Sequence, residues 1–266
     1  MSFGIIIIGD EILSGKRTDK HLAKLIELLS ARGLSLSWAE YLGDDPARIT
    51  ETLRRTMATT DIIFSCGGIG ATPDDHTRQC AAAALGVPLV LHPEAKEKIR
   101  ERIRDMSLES GVEPDFDKPD NLHRLKMGEF PQGAEIIPNA FNKIPGFAVR
   151  NGHGGVHYFL PGFPVMAEPM MNWALDTHHA DLFHQFAYTE KSVIVHDGIE
   201  STLTPLMEAL EAEFPGIRVF SLPSVGDGTR RRHIELGVKG DPEIAELAYV
   251  RMLAGLDLLR QEYVVS

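Results

Sequence analysis

The first part of the chain alternates between short apolar runs and longer segments with helical periodicity. Residues 3–8 (FGIIII) form a continuous apolar run rich in isoleucine, which is typical of a strand buried on both faces of a parallel sheet. Residues 18–32 then place Leu22, Leu25 and Leu29 on one helical stripe, and Gly33 is well suited to end that helix. The pattern predicts a strand followed by an amphipathic helix.

The same alternation continues to about residue 106 and predicts a doubly wound α/β domain. A polar, proline-bearing stretch over 107–130 predicts a long loop with a helical piece at 121–126. The other predicted elements are strands at 34–42, 62–65 and 89–91, helices at 47–59, 75–85 and 94–106, a hairpin at 146–149 and 156–160, and a helix after Pro164.

A different rhythm begins near the histidine pair at residues 178 and 179. The pattern there predicts strand 191–196, helix 201–213, strands 217–222 and 231–238, and helix 244–260. This order is that of a small α+β module, βαββα. We therefore predict two domains, 1–177 and 178–266.

The composition narrows the class of protein. The 266 residues are 43% hydrophobic and 24% charged, which is ordinary for a globular protein. A net charge of −11 disfavours a nucleic-acid partner, and the apolar start of the chain is too short for a membrane span. Two cysteines are too few for a disulfide framework and are typical of a reducing compartment. The expectation is a soluble, cytoplasmic protein.

A loop rich in glycine and acid follows the strand at 62–65. Residues 66–77 read CGGIGATPDDHT, with glycines at 67, 68 and 70 and acids at 74 and 75. One interpretation is a tight turn before a helix that is capped by an aspartate. The other is an anion cradle, in which backbone N–H groups bind phosphate and the carboxylates hold a divalent metal. The loop alone leaves both open.

A second acidic pair, Asp10 and Glu11, leaves the first strand at its carboxyl end. Open α/β sheets bind ligands at that edge. If the first and third strands are neighbours, these acids meet Asp74 and Asp75 in one crevice. Hard divalent ions such as Mg²⁺ prefer oxygen ligands of this kind. The candidate metal ligands are therefore Asp10, Glu11, Asp74 and Asp75.

Several motifs together resemble a known family. GDEILSG at 9–15, GGIGATPDDHT at 67–77, PGF at 145–147 and LPGFP at 160–164 are similar to the molybdopterin-binding (MoCF) domain family. The branch they resemble most is the amino-terminal part of CinA-like proteins, and the corresponding domain of FAD synthase is also similar. The resemblance implies a three-layer α/β/α sandwich with a mostly parallel sheet.

The resemblance also implies a ligand and a set of site residues. Family members bind molybdopterin, or cleave nucleotides such as ADP-ribose or FAD with a divalent metal. The resemblance further implies a homo-oligomer, either a dimer or a trimer. The carried-over catalytic residues are Asp10, Glu11 and Asp75, and the carried-over ligand-binding residues are Asp45, Gly67, Gly68, Gly70, Thr72, Pro161 and Gly162.

Two departures from the CinA-like pattern shift the expectation. Val165 and Met166 stand where such hydrolases continue Ser-Glu after the second proline motif, and the nearest acid is Glu168. Residues 142–144 read NKI where the family pattern has Gly-Thr-Ala. These changes favour a binding role for a phosphorylated pterin or nucleotide. The alternatives are a metal-dependent nucleotide pyrophosphatase and a non-catalytic interaction protein with a vestigial site.

Overall fold

A computed structural model describes residues 2–185, 189–226 and 231–265. Its internal contacts divide the chain into two compact units, Met1–Phe183 and His184–Ser266. The domain boundary expected after residue 177 stays a prediction. No helix in the described ranges is both long enough and apolar enough to cross a lipid bilayer.

The first unit contains eight strands and seven α-helices within its described residues, together with two short 3₁₀ turns. The elements in chain order are β1 (Phe3–Ile8), α1 (Asp10–Leu13), α2 (His21–Ser30), β2 (Leu36–Leu42), α3 (Pro46–Thr56), β3 (Ile62–Cys66), α4 (Thr77–Leu85), β4 (Leu89–Leu91), α5 (Pro93–Ser110), α6 (Pro119–Leu125), β5 (Glu129–Pro131), β6 (Glu135–Ile137), β7 (Gly146–Arg150), β8 (Val156–Leu160) and α7 (Pro164–His178).

Six of these strands form one sheet in the order β2-β1-β3-β8-β7-β6. The β1–β2, β1–β3 and β3–β8 pairs are parallel, and β7 and β6 complete one edge in antiparallel pairs. Successive side chains of β1 point to opposite faces, so its apolar run supplies two cores. Ile5 and Ile7 pack with α2 and α7, and Ile6 and Ile8 pack with α3 and α4. The mostly parallel three-layer prediction is confirmed.

The structure differs from the expected element bounds in ways that have local causes. Helix α4 begins at Thr77 rather than 75, because the Asp75 side chain turns back to Thr72 instead of capping the helix. Helix α5 continues to Ser110, where Gly111 ends it in a left-handed conformation. The short strands β4 and β5 pair with each other. Strand β5 begins at the end of the 107–130 stretch that was expected to be a loop.

The second unit is an antiparallel sheet with two helices, as expected from the βαββα pattern. Its elements are β9 (Thr189–His196), α8 (Glu200–Glu213), β10 (Arg218–Ser224), β11 (His233–Gly240), α9 (Pro242–Leu258) and β12 (Tyr263–Val265). The strand order is β10-β11-β9-β12. Strand β12 was not predicted; only its pairing with β9 identifies these three residues as a strand.

The core of the first unit contains an uncharged histidine. His157 on β8 is 2% exposed, and neither ring nitrogen has a hydrogen-bond partner in the described structure. Its ring stands edge-on to Phe159 at 5.4 Å between centroids. Burial lowers the pKa of His157 from 6.5 to about 3, against a small opposing effect of Asp61. The histidine is therefore neutral in the native state at every mild pH.

The burial of neutral His157 predicts that the protein loses stability in acid and that replacing this histidine removes its share of the loss. Below pH 6.5 the unfolded chain protonates His157 and the native chain does not, so stability falls as pH decreases from that value toward about 3. The loss between about pH 7.5 and pH 5 is about 2 kcal/mol for this residue. We expect His157→Leu to flatten the pH dependence of the unfolding free energy by that amount in urea titrations.

The control is His153→Leu, which changes an exposed histidine in the turn between β7 and β8. It leaves the slope of the parent protein unchanged. Equal slopes for His157→Leu and the parent would contradict the assignment of a neutral buried His157. The unfolding free energy of His157→Leu still depends on pH to some extent, because burial also lowers the pKa of His179, to about 4.

Candidate functional site

The carboxyl ends of β1, β3 and β8 open into a cleft of about 630 Å³. This is the edge at which parallel α/β sheets bind ligands. The adjacent parallel strands β1 and β3 bring the acidic turn and the glycine-rich loop to the same place. The lining residues are Ile8, Gly9, Glu11, Lys16, Arg17, Asp44, Gly67, Gly68, Ile69, Gly70, Ala71, Thr72, Asp74, Asp75, Pro161, Gly162 and Phe163.

The first two loop glycines are required by the packing of the loop on its own protein. Gly67 and Gly68 have φ angles of 111° and 67°, which side-chain-bearing residues rarely adopt. A Cβ on Gly67 would overlap the Ile8 carbonyl oxygen, and one on Gly68 would overlap the Thr77 hydroxyl. These glycines therefore let the loop lie against β1 and the start of α4.

The loop presents backbone donors that the protein does not use. Gly67 donates its N–H to the Leu160 carbonyl at 3.0 Å. Within the described residues, the next four N–H groups, at residues 68–71, donate no hydrogen bond, and neither do those of Gly162 and Phe163 across the cleft. All six residues line the cleft. Unpaired backbone N–H groups facing a cleft are the donors that anion sites use.

A buried arginine holds the glycine-rich loop from behind. Arg78 is 3% exposed and donates to the Gly70 carbonyl at 2.7 Å and to the carbonyls of Lys126 and Glu129. Burial lowers its pKa. Sequence reasoning missed this residue; the available signal was an arginine immediately after the 66–77 loop, but its partners are 8, 48 and 51 residues away along the chain.

Asp75 closes the loop on itself. Its Oδ2 accepts hydrogen bonds from the Thr72 N–H at 2.8 Å and from the Thr72 hydroxyl at 2.5 Å. This internal bond accounts for the position of Thr72 and for the absence of an Asp75 cap on α4. Both residues still line the cleft.

The acids gather beside the glycine-rich loop in an adjoining depression of about 650 Å³. Its lining includes Asp10, Glu11, Asp44 and Asp74, together with Lys16. The Asp10 N–H donates to Asp44 Oδ2 at 2.9 Å, and the Asp44 N–H donates to Asp10 Oδ1 at 3.2 Å. Burial and the charges of Asp10, Glu11 and Asp74 raise the pKa of Asp44. Three of the four proposed metal ligands thus share one depression, and Asp44 joins them.

The family resemblance carried a ligand-binding role over to Asp45, but in the structure this side chain caps a helix and its neighbour Asp44 lies at the cleft. The Asp45 side chain caps α3 by accepting from the N–H groups of Ala47 and Arg48. Asp44 is the residue that reaches the cleft. The adjacent acids could not be told apart by type, because the backbone geometry at the start of the helix decides which one caps it.

The described residues include no cluster of three or more histidine, cysteine or acidic side chains arranged to hold a metal ion. Nor does an acid replace the missing Ser-Glu after Pro164. Val165 is exposed on the first turn of α7, and Glu168 pairs with Lys24 on α2 at 3.4 Å. Pro161 and Gly162 follow the end of β8 and line the cleft, and Gly162 lies close to Gly67 of the glycine-rich loop.

Comparison with known families adds to this geometry. Residues 4–180 match a family model described as a probable molybdopterin binding domain. That range runs from the second residue of β1 to beyond the end of α7 and contains every lining residue of the cleft.

The chain belongs to the molybdopterin-binding domain family, in its CinA-like branch.

Two CinA-like proteins of Anaeromyxobacter illustrate this membership. The protein of strain Fw109-5 is 31% identical over 89% of this chain and 58% of its own length. The protein of strain K is 30% identical over 96% of this chain and 65% of its own length. The chain thus spans less than two thirds of these molybdopterin-binding-domain relatives. A solved structure of the protein CinA from Thermoplasma acidophilum, whose function is described as unknown, covers 66% of this chain and 98% of its own with 26% identity and a TM-score of 0.54.

The acid cluster predicts that Asp44→Asn stabilises the protein at neutral pH. A raised native pKa means that the charged carboxylate costs stability above that pKa, and this cost disappears as the residue is protonated in acid. Asparagine removes the charge but keeps an oxygen that accepts from the Asp10 N–H. We expect a higher melting temperature than the parent at about pH 7, with the difference shrinking as pH falls.

Asp117→Asn is the matched control, because Asp117 is exposed and does not line the cleft. It leaves the melting temperature near that of the parent at both pH values. A lower melting temperature for Asp44→Asn at pH 7 would show that the carboxylate stabilises the site instead of straining it.

Proposed function

We propose that the protein binds a phosphorylated small molecule of the pterin or nucleotide class in the cleft at the carboxyl edge of the sheet. The observation that carries this proposal is the set of unpaired backbone N–H groups at residues 68–71 beside the cleft. The family description, probable molybdopterin binding, supports a pterin ligand. A cleft of about 630 Å³ is of the size that small-molecule ligands occupy.

The charges of the cleft are consistent with a phosphate group at the loop. Lys16 and Arg17 line it and form no ion pair with a described residue. The carboxylates of Glu11, Asp44 and Asp74 lie in the same lining. A phosphate is therefore expected against the backbone donors and the two cations, and the acids are left to face polar or cationic parts of the ligand.

Metal-dependent cleavage of a nucleotide is the second candidate, favoured by the raised pKa of Asp44. Mutual repulsion among carboxylates is relieved when a divalent cation binds them. Asp10, Glu11, Asp44 and Asp74 would hold it, but they line one depression without the arrangement of a metal cluster, so the ion would have to draw them together before it could neutralise phosphate charge. Asp75 is not among these residues, because it accepts two hydrogen bonds from Thr72 and so fixes the shape of the loop.

The ligand is tested by thermal shift with molybdopterin, ADP-ribose, FAD and ADP, each with and without Mg²⁺ or Mn²⁺. A ligand that binds only the native state raises the melting temperature. Release of a nucleoside monophosphate in the metal-containing samples would favour the hydrolase. If none of the four compounds shifts the melting temperature, the binding proposal is wrong for this ligand class.

A substitution at Gly162 tests the location. A Cβ at this position would lie 3.5 Å from the Gly67 Cα, which is an ordinary van der Waals contact. A side chain at residue 162 would therefore lie next to the glycine-rich loop without a steric clash of its Cβ. We expect Gly162→Phe to fold, to fill the space against the loop and to abolish the ligand-induced shift. Gly162→Ala is the matched control and keeps the shift. Retention of the full shift by Gly162→Phe would place the ligand elsewhere.

The homo-oligomer expected from the family resemblance also stays a proposal. Sedimentation at micromolar protein concentration distinguishes it from a single chain of 29.4 kDa. A dimer or a trimer would support the expectation, and a monomer would contradict it.

A further inference from the structure

A second, smaller depression adjoins the cleft and has the opposite charge. Its volume is about 310 Å³, and it shares Ala71, Thr72 and Asp75 with the cleft as a common wall. The rest of its lining is Pro73, His76, Arg78, Gln79, His123 and Lys126. Asp75 is the single carboxylate among these residues, and one of its oxygens is already bonded to Thr72.

Arg78 gives this depression a buried positive charge, on which the carboxylates of Glu129 and Asp75 act only from beyond ion-pair distance. Its guanidinium bonds only to the carbonyl oxygens of Gly70, Lys126 and Glu129. Its Nε is buried without a hydrogen-bond partner, and Arg78 forms no ion pair with any residue that the structure describes. A buried charge is costly unless it is paired, so an anion beside Arg78 would be strongly favoured.

The amino end of α4 adds to the same potential. The helix has nine residues and begins at Thr77, and its N-cap residue, His76, makes no side-chain capping bond. The N–H groups of Arg78 and Gln79 lie in the first turn of α4, where the helix itself offers them no carbonyl acceptor. Within the described chain they donate no hydrogen bond to any group outside the helix either. The helix dipole places partial positive charge at this end.

Two side chains from the α6 region complete the wall. His123 contacts the Ala71 carbonyl through Nε2 at 2.7 Å, which joins α6 to the glycine-rich loop. Lys126 follows less than one turn later, and its exposed ammonium forms no ion pair within the described ranges. An exposed lysine that lines a depression and forms no ion pair is suited to contact a bound anion.

We propose that this depression, the Arg78 pocket (residues 71–73, 75, 76, 78, 79, 123 and 126), is a binding site for a phosphate group, separate from the ligand cleft. Its ligand chemistry is that of orthophosphate or a phosphate monoester. The proposal goes beyond the function proposed for the cleft, because neither His123 nor Lys126 lines the cleft. The shared wall makes the anion in this pocket a neighbour of whatever occupies the cleft.

Orthophosphate itself is the probe, measured by calorimetric titration of the full chain in chloride buffer. Lys126→Ala removes the ammonium but keeps the backbone carbonyl that accepts from Arg78. We expect it to weaken phosphate binding by about tenfold, the loss of one charge-assisted hydrogen bond. Lys20→Ala is the matched control, because Lys20 is exposed and lines neither depression, and it leaves the phosphate affinity of the parent unchanged.

The outcomes separate this site from the cleft. Weakening by Lys126→Ala but not by Lys20→Ala supports the Arg78 pocket, whether or not ADP-ribose or molybdopterin binds. An unchanged phosphate affinity in Lys126→Ala would overturn the proposal, and loss of binding in Gly162→Phe would then place the phosphate in the cleft. Absence of phosphate binding to the parent protein would overturn it as well. An unchanged melting temperature for Lys126→Ala without phosphate verifies that the variant is folded.

Discussion

The parallel pairing of β1 with β3 is the constraint on which the site depends. In a parallel pair both strands end at the same edge of the sheet, so the turn at Asp10 and Glu11 and the loop at 67–75 are brought together although they are more than 50 residues apart. The close approach of Gly67 to the Ile8 carbonyl is a direct consequence. A side chain at Gly67 would have to push the two strand ends apart, which would open the cleft.

The loop is held by contacts of its own, so its free donors are fixed before any ligand arrives. Arg78 binds the Gly70 carbonyl from behind, and Asp75 binds both donors of Thr72. The Arg78 bond uses a carbonyl of the loop and the Asp75 bonds use the N–H and hydroxyl of Thr72, so the N–H groups at residues 68–71 stay available. A donor array that needs no rearrangement loses little entropy when it binds an anion. The same arrangement explains how a chain with a net charge of −11 could bind a phosphorylated ligand.

Most acidic and basic groups around the glycine-rich loop lie in different depressions. Asp10, Glu11, Asp44 and Asp74 lie in the acidic depression, whereas His76, Arg78, His123 and Lys126 line the Arg78 pocket. The missing Ser-Glu of CinA-like hydrolases falls at Val165 and Met166, and Glu168 is directed to Lys24. The acids available for chemistry are therefore those of the strand-end turns, and the proposed binding role rests on the backbone of the loop.

The sequence by itself determined the layered fold, because runs such as 3–8 can bury both faces only inside a parallel sheet covered by helices. It also indicated the edge where the site lies, since glycine and acid motifs follow two of these strands. Only the tertiary structure decided which of Asp44 and Asp45 reaches the cleft and that Arg78 supports the loop. Those outcomes depend on hydrogen bonds such as Asp10 to Asp44 and Arg78 to Lys126, whose partners are 34 and 48 residues apart. Local sequence propensity does not identify such distant partners. In the same way, the three residues of β12 form a strand only because β9 pairs with them.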